Sequence, residues 1–222
     1  MEARLKSGRA YWNRWSGVLG ACALAALAVY FLGGRFTTVR FDQERIEVAV
    51  EAGLIHVHGL YHYQNASPLP ALLTLKIPFP VDQDHPAPDA FALAEVDEGG
   101  RTLRELCLLG PPAAPHVRLL FRPRESKWIL LDYWQPSRVP EGIYILTTTR
   151  AWRRPIAQAS FRLRFRAGCS LGHSNYPVTQ SAPPPSAITY TFSRTNFYPD
   201  ADWKFAWVEG QTAASRRQGS VP

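Results

Sequence analysis

From Gly17 to Gly34 the chain reads GVLGACALAALAVYFLGG, eighteen residues without a charge, and this run constrains the fold more than any other feature. As a helix rising about 1.5 Å per residue it spans roughly 27 Å, close to the ~30 Å hydrocarbon core of a bilayer. Trp12 and Trp15 on one side and Tyr30 on the other suit the membrane interfaces, where amphipathic rings settle. Arg4, Lys6, Arg9 and Arg14 precede the run, whereas Arg35 and Arg40 beyond it are soon followed by Asp42 and Glu44. The positive-inside rule therefore places 1–16 in the cytoplasm, 17–34 as a signal-anchor helix and 35–222 outside. The expected location is the cell inner membrane, single-pass, with a periplasmic or extracellular ectodomain.

Two alternatives accompany a retained anchor. Ala26-Leu27-Ala28 fits a signal-peptidase site, but the apolar run continues through Val29–Leu32, which a cleaved leader does not need. Leu19-Gly20-Ala21-Cys22 loosely fits a lipoprotein box, yet few apolar residues precede Cys22 and many follow it. Gly17, Ala21 and Ala25 are spaced four apart, a small-residue strip on which a second membrane helix can pack.

The formal net charge of +7 suggests nucleic acid, but most of the excess lies in residues 1–16 and in Arg216 and Arg217 of the tail. What remains is too little for a nucleic-acid surface, and no nucleic-acid partner is expected. A composition 46% hydrophobic and 12% aromatic excludes disorder for most of the chain.

Past Gly34 no helical periodicity is sustained, and short alternating or apolar runs are separated by Pro, Gly, Asp and Asn. Strands are expected at 36–42, 45–51, 54–64, 71–80, 90–96, 102–109, 116–122, 128–134, 142–150, 159–166, 187–194 and 203–208. The fold class is thus all-β, an antiparallel β-sandwich over 35–210 behind a single N-terminal transmembrane helix. Ile46, Val48 and Val50 alternate, Ala52-Gly53 supplies a turn, and Ile55, Val57, Tyr61 and Tyr63 take the inward parity of the returning strand. Residues 179–186, TQSAPPPS, read as an extended linker, and 211–222 as a disordered tail.

Residues 46–80 resemble the opening hairpin and strand end of the VIT module, the β-sandwich at the front of inter-alpha-trypsin inhibitor heavy chains, found also in bacterial exported proteins. The likeness rests on the V-x-V strand, the glycine turn, Asn65 after an aromatic-rich strand, and Ile77-Pro78-Phe79-Pro80. Relatives usually continue into a von Willebrand A domain with a D-x-S-x-S metal site; this chain has no such motif, so metal-dependent adhesion does not carry over.

Chemistry-bearing residues are sparse. His56, His58 and His62 share one face of a strand, with His56 and His58 about 7 Å apart, close enough to share a metal ion. His62 joins them only if Gly59 introduces a bulge. The plain alternative is a solvent face that carries histidines. Cys107 and Cys169 both fall in the exported part, where a disulfide would close a loop of about 62 residues, against two separate thiols. A Cys169/His173 nucleophile pair is conceivable. Arg162, Arg164 and Arg166 alternate with apolar residues, giving a basic solvent face or a surface for an acidic partner or anionic headgroups. Trp203, Phe205 and Trp207 share a face and read as core. Asn65-Ala66-Ser67 matches a glycosylation sequon.

There is no G-x-S-x-G, phosphate-binding glycine loop, H-E-x-x-H or C-x-x-C, so an enzyme is not expected, and no cofactor. The expected function is a membrane-anchored interaction module, an accessory or assembly subunit that meets another membrane protein. The alternative is a metal or small-ligand binder using His56 and His58.

Overall fold

The structure, a computed structural model, describes residues 37–88, 90–111, 115–181 and 187–209. The segments 1–16 and 17–34, with Gly17, Ala21 and Ala25, and the tail 211–222 lie outside the described residues. Among the described residues no helix is long and apolar enough to cross a membrane.

Alternation organises the first hairpin. β1 (Val39–Glu51) and β2 (Leu54–Asn65) pair antiparallel from Val39↔Asn65 to Glu51↔Leu54. Ala52 and Gly53 close the turn with φ of 48° and 80°, the two positive values that a two-residue hairpin turn requires. Ile46, Val48, Val50, Ile55, Val57 and Tyr63 are buried as their parity demands. The runs expected at 36–42 and 45–51 are one strand. Its pairing slips between Phe41 and Gln43, so Asp42 is the extra residue of a bulge. Because side chains alternate with period two, the slip moves burial from odd positions (Val39, Phe41) to even ones (Glu44, Ile46).

The remaining strands are β3 (Ala71–Lys76), β4 (Ala90–Val96), β5 (Thr102–Glu105), β6 (His116–Phe121), β7 (Ser126–Pro136), β8 (Glu141–Tyr144), β9 (Ile156–Arg166), β10 (Cys169–Ser174), β11 (Thr179–Gln180), β12 (Ala187–Phe197) and β13 (Trp203–Glu209). Several expectations need correction. The run 71–80 leaves the sheet at Lys76, ahead of Pro78, which has no N–H to donate. The run 102–109 is strand only to Glu105, with an isolated antiparallel bridge from Leu109 to His116 beyond it. The run expected at 142–150 is strand only as far as Tyr144, and a 3₁₀ turn follows at Thr147–Trp152. β10 was not expected, and the supposed linker 179–186 opens with the strand β11.

Eight strands form one sheet in the order β11-β12-β9-β1-β2-β7-β4-β5, and β10-β13-β8 and β3-β6 form two smaller sheets. The architecture is all-β and sandwich-like, but not wholly antiparallel, since β1 and β9 run parallel at the centre of the large sheet. Both edges of the large sheet are short strands: β11 has two residues and β5 four, all exposed. The main core joins all three sheets, with Val48, Leu163, Leu119 and Phe205 in one cluster, and a smaller cluster of Ala94, Val96 and Trp128 lies apart from it. Phe161 and Phe165 of β9 meet Trp203 and Trp207 of β13 at ring distances of 5.6 and 6.5 Å. Trp203, Phe205 and Trp207 are thus core, as their shared parity implies.

Asn65 is fully buried. Its Nδ2 donates to the carbonyls of Leu69 and Arg122 at 2.8 and 3.0 Å, and its Oδ1 accepts from Ser67 N–H. In the folded chain the sequon asparagine is therefore a clamp between two loops, with its amide already committed.

Candidate functional site

The outward face of the large sheet brings together two groups that are far apart in sequence. Register sets them in rows. Arg162 of β9, Glu47 of β1, His58 of β2 and Asp132 of β7 lie side by side, and Arg164, Ala49, His56 and Trp134 form the next row. Each strand contributes alternate residues to this face, so the parity that buries Ile55 and Val57 necessarily turns His56 and His58 outward. Ala49 is the smallest side chain in its row, and the surface dips over it. The trough encloses about 240 Å³ and is lined by Glu47, Val48, Ala49, His56, His58, Arg162 and Arg164.

Asp132 sits at its histidine wall. His58 Nδ1 donates to Asp132 Oδ2 at 2.8 Å, and His56 Nε2 lies 3.0 and 3.1 Å from the two carboxylate oxygens. Burial pushes the Asp132 carboxyl up, but the hydrogen bonds from His58 and His56 outweigh it and hold the group below its ordinary value. The His56 ring also stacks on Trp134, with centroids 4.2 Å apart and planes 3° from parallel. The two histidines are thereby fixed in position. The sheet supplies the carboxylate that the local sequence lacks, from 74 and 76 residues away.

His62 does not join them. The β2–β7 pairing runs through Gly59 without a slip, and His62 Nδ1 instead donates to Asp42 at 2.7 Å. Among the described residues no group of three or more His, Cys, Asp or Glu side chains has the geometry to hold a metal ion. The nitrogens that His56 and His58 turn toward each other's surroundings are engaged by Asp132.

The arginine wall is unevenly paired. Arg162 donates to Glu47 at 2.6 Å and Arg166 to Glu209 at 3.1 Å. Among the described residues no carboxylate pairs with Arg164, which borders both the trough and a second depression of about 150 Å³ beside Glu51 and Arg166. An exposed guanidinium beside a small-residue floor is suited to a carboxylate or phosphate oxygen, which accepts its N–H groups.

The cysteines do not form a site. Cys107 is exposed and Cys169 is buried at the start of β10, and both are free thiols, so the expected bridge is absent. Cys169 points into the core while His173 is exposed beyond a register slip, so the two do not form a nucleophile pair. Alkylation of the native protein is expected to modify Cys107 and spare Cys169, with both modified after unfolding. Peptide mapping checks this, and equal labelling of the two in the native state would contradict the burial of Cys169.

No protein-family model matches the sequence, and no curated protein matches it. Solved structures do. One described as a nutrient-binding protein of Legionella pneumophila superposes with a TM-score of 0.60 at 15% identity, covering 77% of this chain and 67% of that one. An M1 zinc metallopeptidase of Deinococcus radiodurans gives a TM-score of 0.44 at 13% identity, covering 76% of this chain but 42% of that one. The first likeness is one of fold alone; the second is too loose to bear on this chain.

Proposed function

We propose that this chain is a non-catalytic, membrane-anchored interaction module, an accessory or assembly subunit whose trough receives an acidic segment of another membrane protein. Residues 17–34 hold it in the cell inner membrane with the N-terminus cytoplasmic and the β domain periplasmic or extracellular. The observation that carries this reading is Arg164, a guanidinium without a carboxylate partner among the described residues, facing His56 and His58 across Ala49. A partner carboxylate completes that pairing, and the Asp132 hydrogen bonds limit the ordering cost on the histidine side. The trough is open and shallow, which suits a protruding side chain or chain segment rather than an enclosed small molecule. The VIT-type resemblance of residues 46–80 fits the same class; that stretch supplies the end of β1 and all of β2 and β3.

A photo-crosslinker placed at Ala49 in native membranes should capture a discrete partner. The Arg164→Glu variant should lose at least about tenfold of that product while remaining folded. Unchanged crosslinking in the Arg164→Glu variant would rule out the trough as the recognition surface. The second reading is a small anionic ligand in the same trough, also favoured by Arg164. In that case titration of the detergent-solubilised chain with inorganic phosphate gives saturable heat that the Arg164→Glu variant lacks.

A further inference from the structure

The two ends of the β domain differ in charge. At the end where β1 begins, the loop between β6 and β7 exposes Arg122 and Arg124, and the segment before β9 exposes Arg153 and Arg154. Asn65 and Trp152 fix both segments to this end: Asn65 bonds the carbonyls of Arg122 and Glu125 and pairs with Val39, and Trp152 lies 6.0 Å from Phe41 and 5.5 Å from Tyr63. No carboxylate pairs with any of these four arginines among the described residues. Of the acids nearby, Asp42 is engaged by His62, Asp97 by Arg101 and Glu98 by Arg45, while Glu125 pairs with Lys127 and also accepts the Arg122 backbone N–H, and Asp200 is exposed beyond Tyr198. The opposite end, at the Ala52-Gly53 turn, instead gathers Glu51, Asp82, Asp84, Glu141 and Glu209, with Arg138 and Arg166 among them.

Apolar side chains accompany the arginines. Leu69 is 67% exposed, and Leu72 and Leu120, directly opposite each other across β3 and β6, are 64% and 66% exposed. Tyr198, one residue past the end of β12, is 49% exposed at the same end. Exposed leucines and a tyrosine set among unpaired arginines form the amphipathic surface that a bilayer interface accepts, with apolar side chains at headgroup depth and guanidinium groups on the phosphates.

Chain length supplies the occupant. Four residues separate Gly34, the end of the apolar run, from Val39, where β1 begins, and fully extended they reach no more than ~18 Å. An anchored chain therefore holds its arginine-bearing end near its own membrane and its acidic end away from it. We infer that this end of the domain, through Arg122, Arg124, Arg153 and Arg154 with Leu69, Leu72, Leu120 and Tyr198, docks on anionic headgroups of the bilayer that anchors it. The inference rests on the anchored reading above and goes beyond it: the helix only tethers, whereas the docked end fixes which way the trough faces.

The test uses the full chain in lipid nanodiscs, one set of phosphatidylcholine alone and one containing about 30% phosphatidylglycerol, with backbone hydrogen exchange as the readout. Amides of the 66–70, 122–125 and 153–154 segments should exchange about tenfold more slowly in the anionic discs, while the 51–54 turn stays unchanged. A variant with Arg122→Glu, Arg124→Glu, Arg153→Glu and Arg154→Glu should co-migrate with the discs and lose that protection. Co-migration with equal exchange in both lipids overturns docking and leaves the anchor standing. A chain that does not co-migrate at all overturns both. Protection that persists in lipid-free detergent and grows with protein concentration assigns the surface to a second copy, which also overturns the proposal.

Discussion

Replacing Glu44 with glutamine is expected to flatten the protein's stability against pH between about 4.5 and 8. Glu44 follows the Asp42 bulge, which turns its side chain into the core, where it is fully enclosed and its Oε1 has no hydrogen-bond partner. Desolvation alone lifts its carboxyl from 4.5 to about 8, and the buried hydroxyls of Tyr61, Tyr63 and Tyr144 lie within its electrostatic reach. The sign follows from which state holds the proton. The unfolded chain releases it near its ordinary value, while the folded chain keeps it up to about 8, so rising pH favours unfolding throughout that window. The contribution is fully present below 4.5 and is lost by the time pH passes the folded value, a difference of roughly 5 kcal/mol. Glutamine copies the neutral acid in shape and does not ionise. Thermal unfolding of the full chain in mild detergent, followed by tryptophan fluorescence, should show the variant several kcal/mol more stable than the parent above pH 8 and nearly equal to it at pH 4.5. Parallel curves for the two proteins would mean that Glu44 titrates as an exposed acid. Asp132, held below its ordinary value, acts in the opposite sense, so its contribution is lost only on acidification below the ordinary carboxylate range.

The second large effect is expected at Trp203, which has no solvent exposure. Its ring meets Phe192 at 5.1 Å, Phe205 at 5.3 Å and Phe161 at 5.6 Å, and its Nε1 donates to Ser174 Oγ at 3.2 Å. It therefore connects β13 to β9 and β12 of the large sheet and to β10 of its own. Trp203→Ala opens a cavity among rigid rings that cannot collapse into it and should cost about 3–5 kcal/mol. For a domain of this size that lowers the melting temperature by about 10 °C. Trp203→Phe keeps most of the ring contacts while giving up the Ser174 hydrogen bond, and should lose less than half as much. A Trp203→Ala protein that melts with the parent would show that the small sheet is not held through this residue.

The parts of this fold that were readable in the sequence are those written in local alternation. The first hairpin and the apolar face of β9 follow from period-two patterns and a turn whose residues suit positive φ. The same rule misled at β1, because a bulge flips the parity within one strand and a buried glutamate occupies an inward position that reads as polar. β10, CSLGHS, carries no alternating apolar pattern and is held by pairing with β13 through its backbone. The trough was half readable. His56 and His58 are marked by parity, and the arginines of β9 by their own alternation, but nothing local says that β9 lies parallel to β1 across more than a hundred residues. Asp132, in a run of large apolar and aromatic residues, gives no sign of its role until β7 is placed beside β2.

The abbreviated margins of the large sheet bear on how such domains share a surface. A sheet border offers unsatisfied backbone N–H and C=O groups, which recruit any other border that meets them in register. Chains held in one plane, as in the anchored reading proposed above, collide margin to margin far more often than chains free in solution. Here the borders are two residues long at β11 and four at β5, and β5 presents Arg104 and Glu105 in place of a flat apolar ribbon. At the β5 border too few backbone groups stand in line to template a growing ladder, whereas at the other border β12 runs on past the two residues that β11 covers, so that margin is where a second copy would pair.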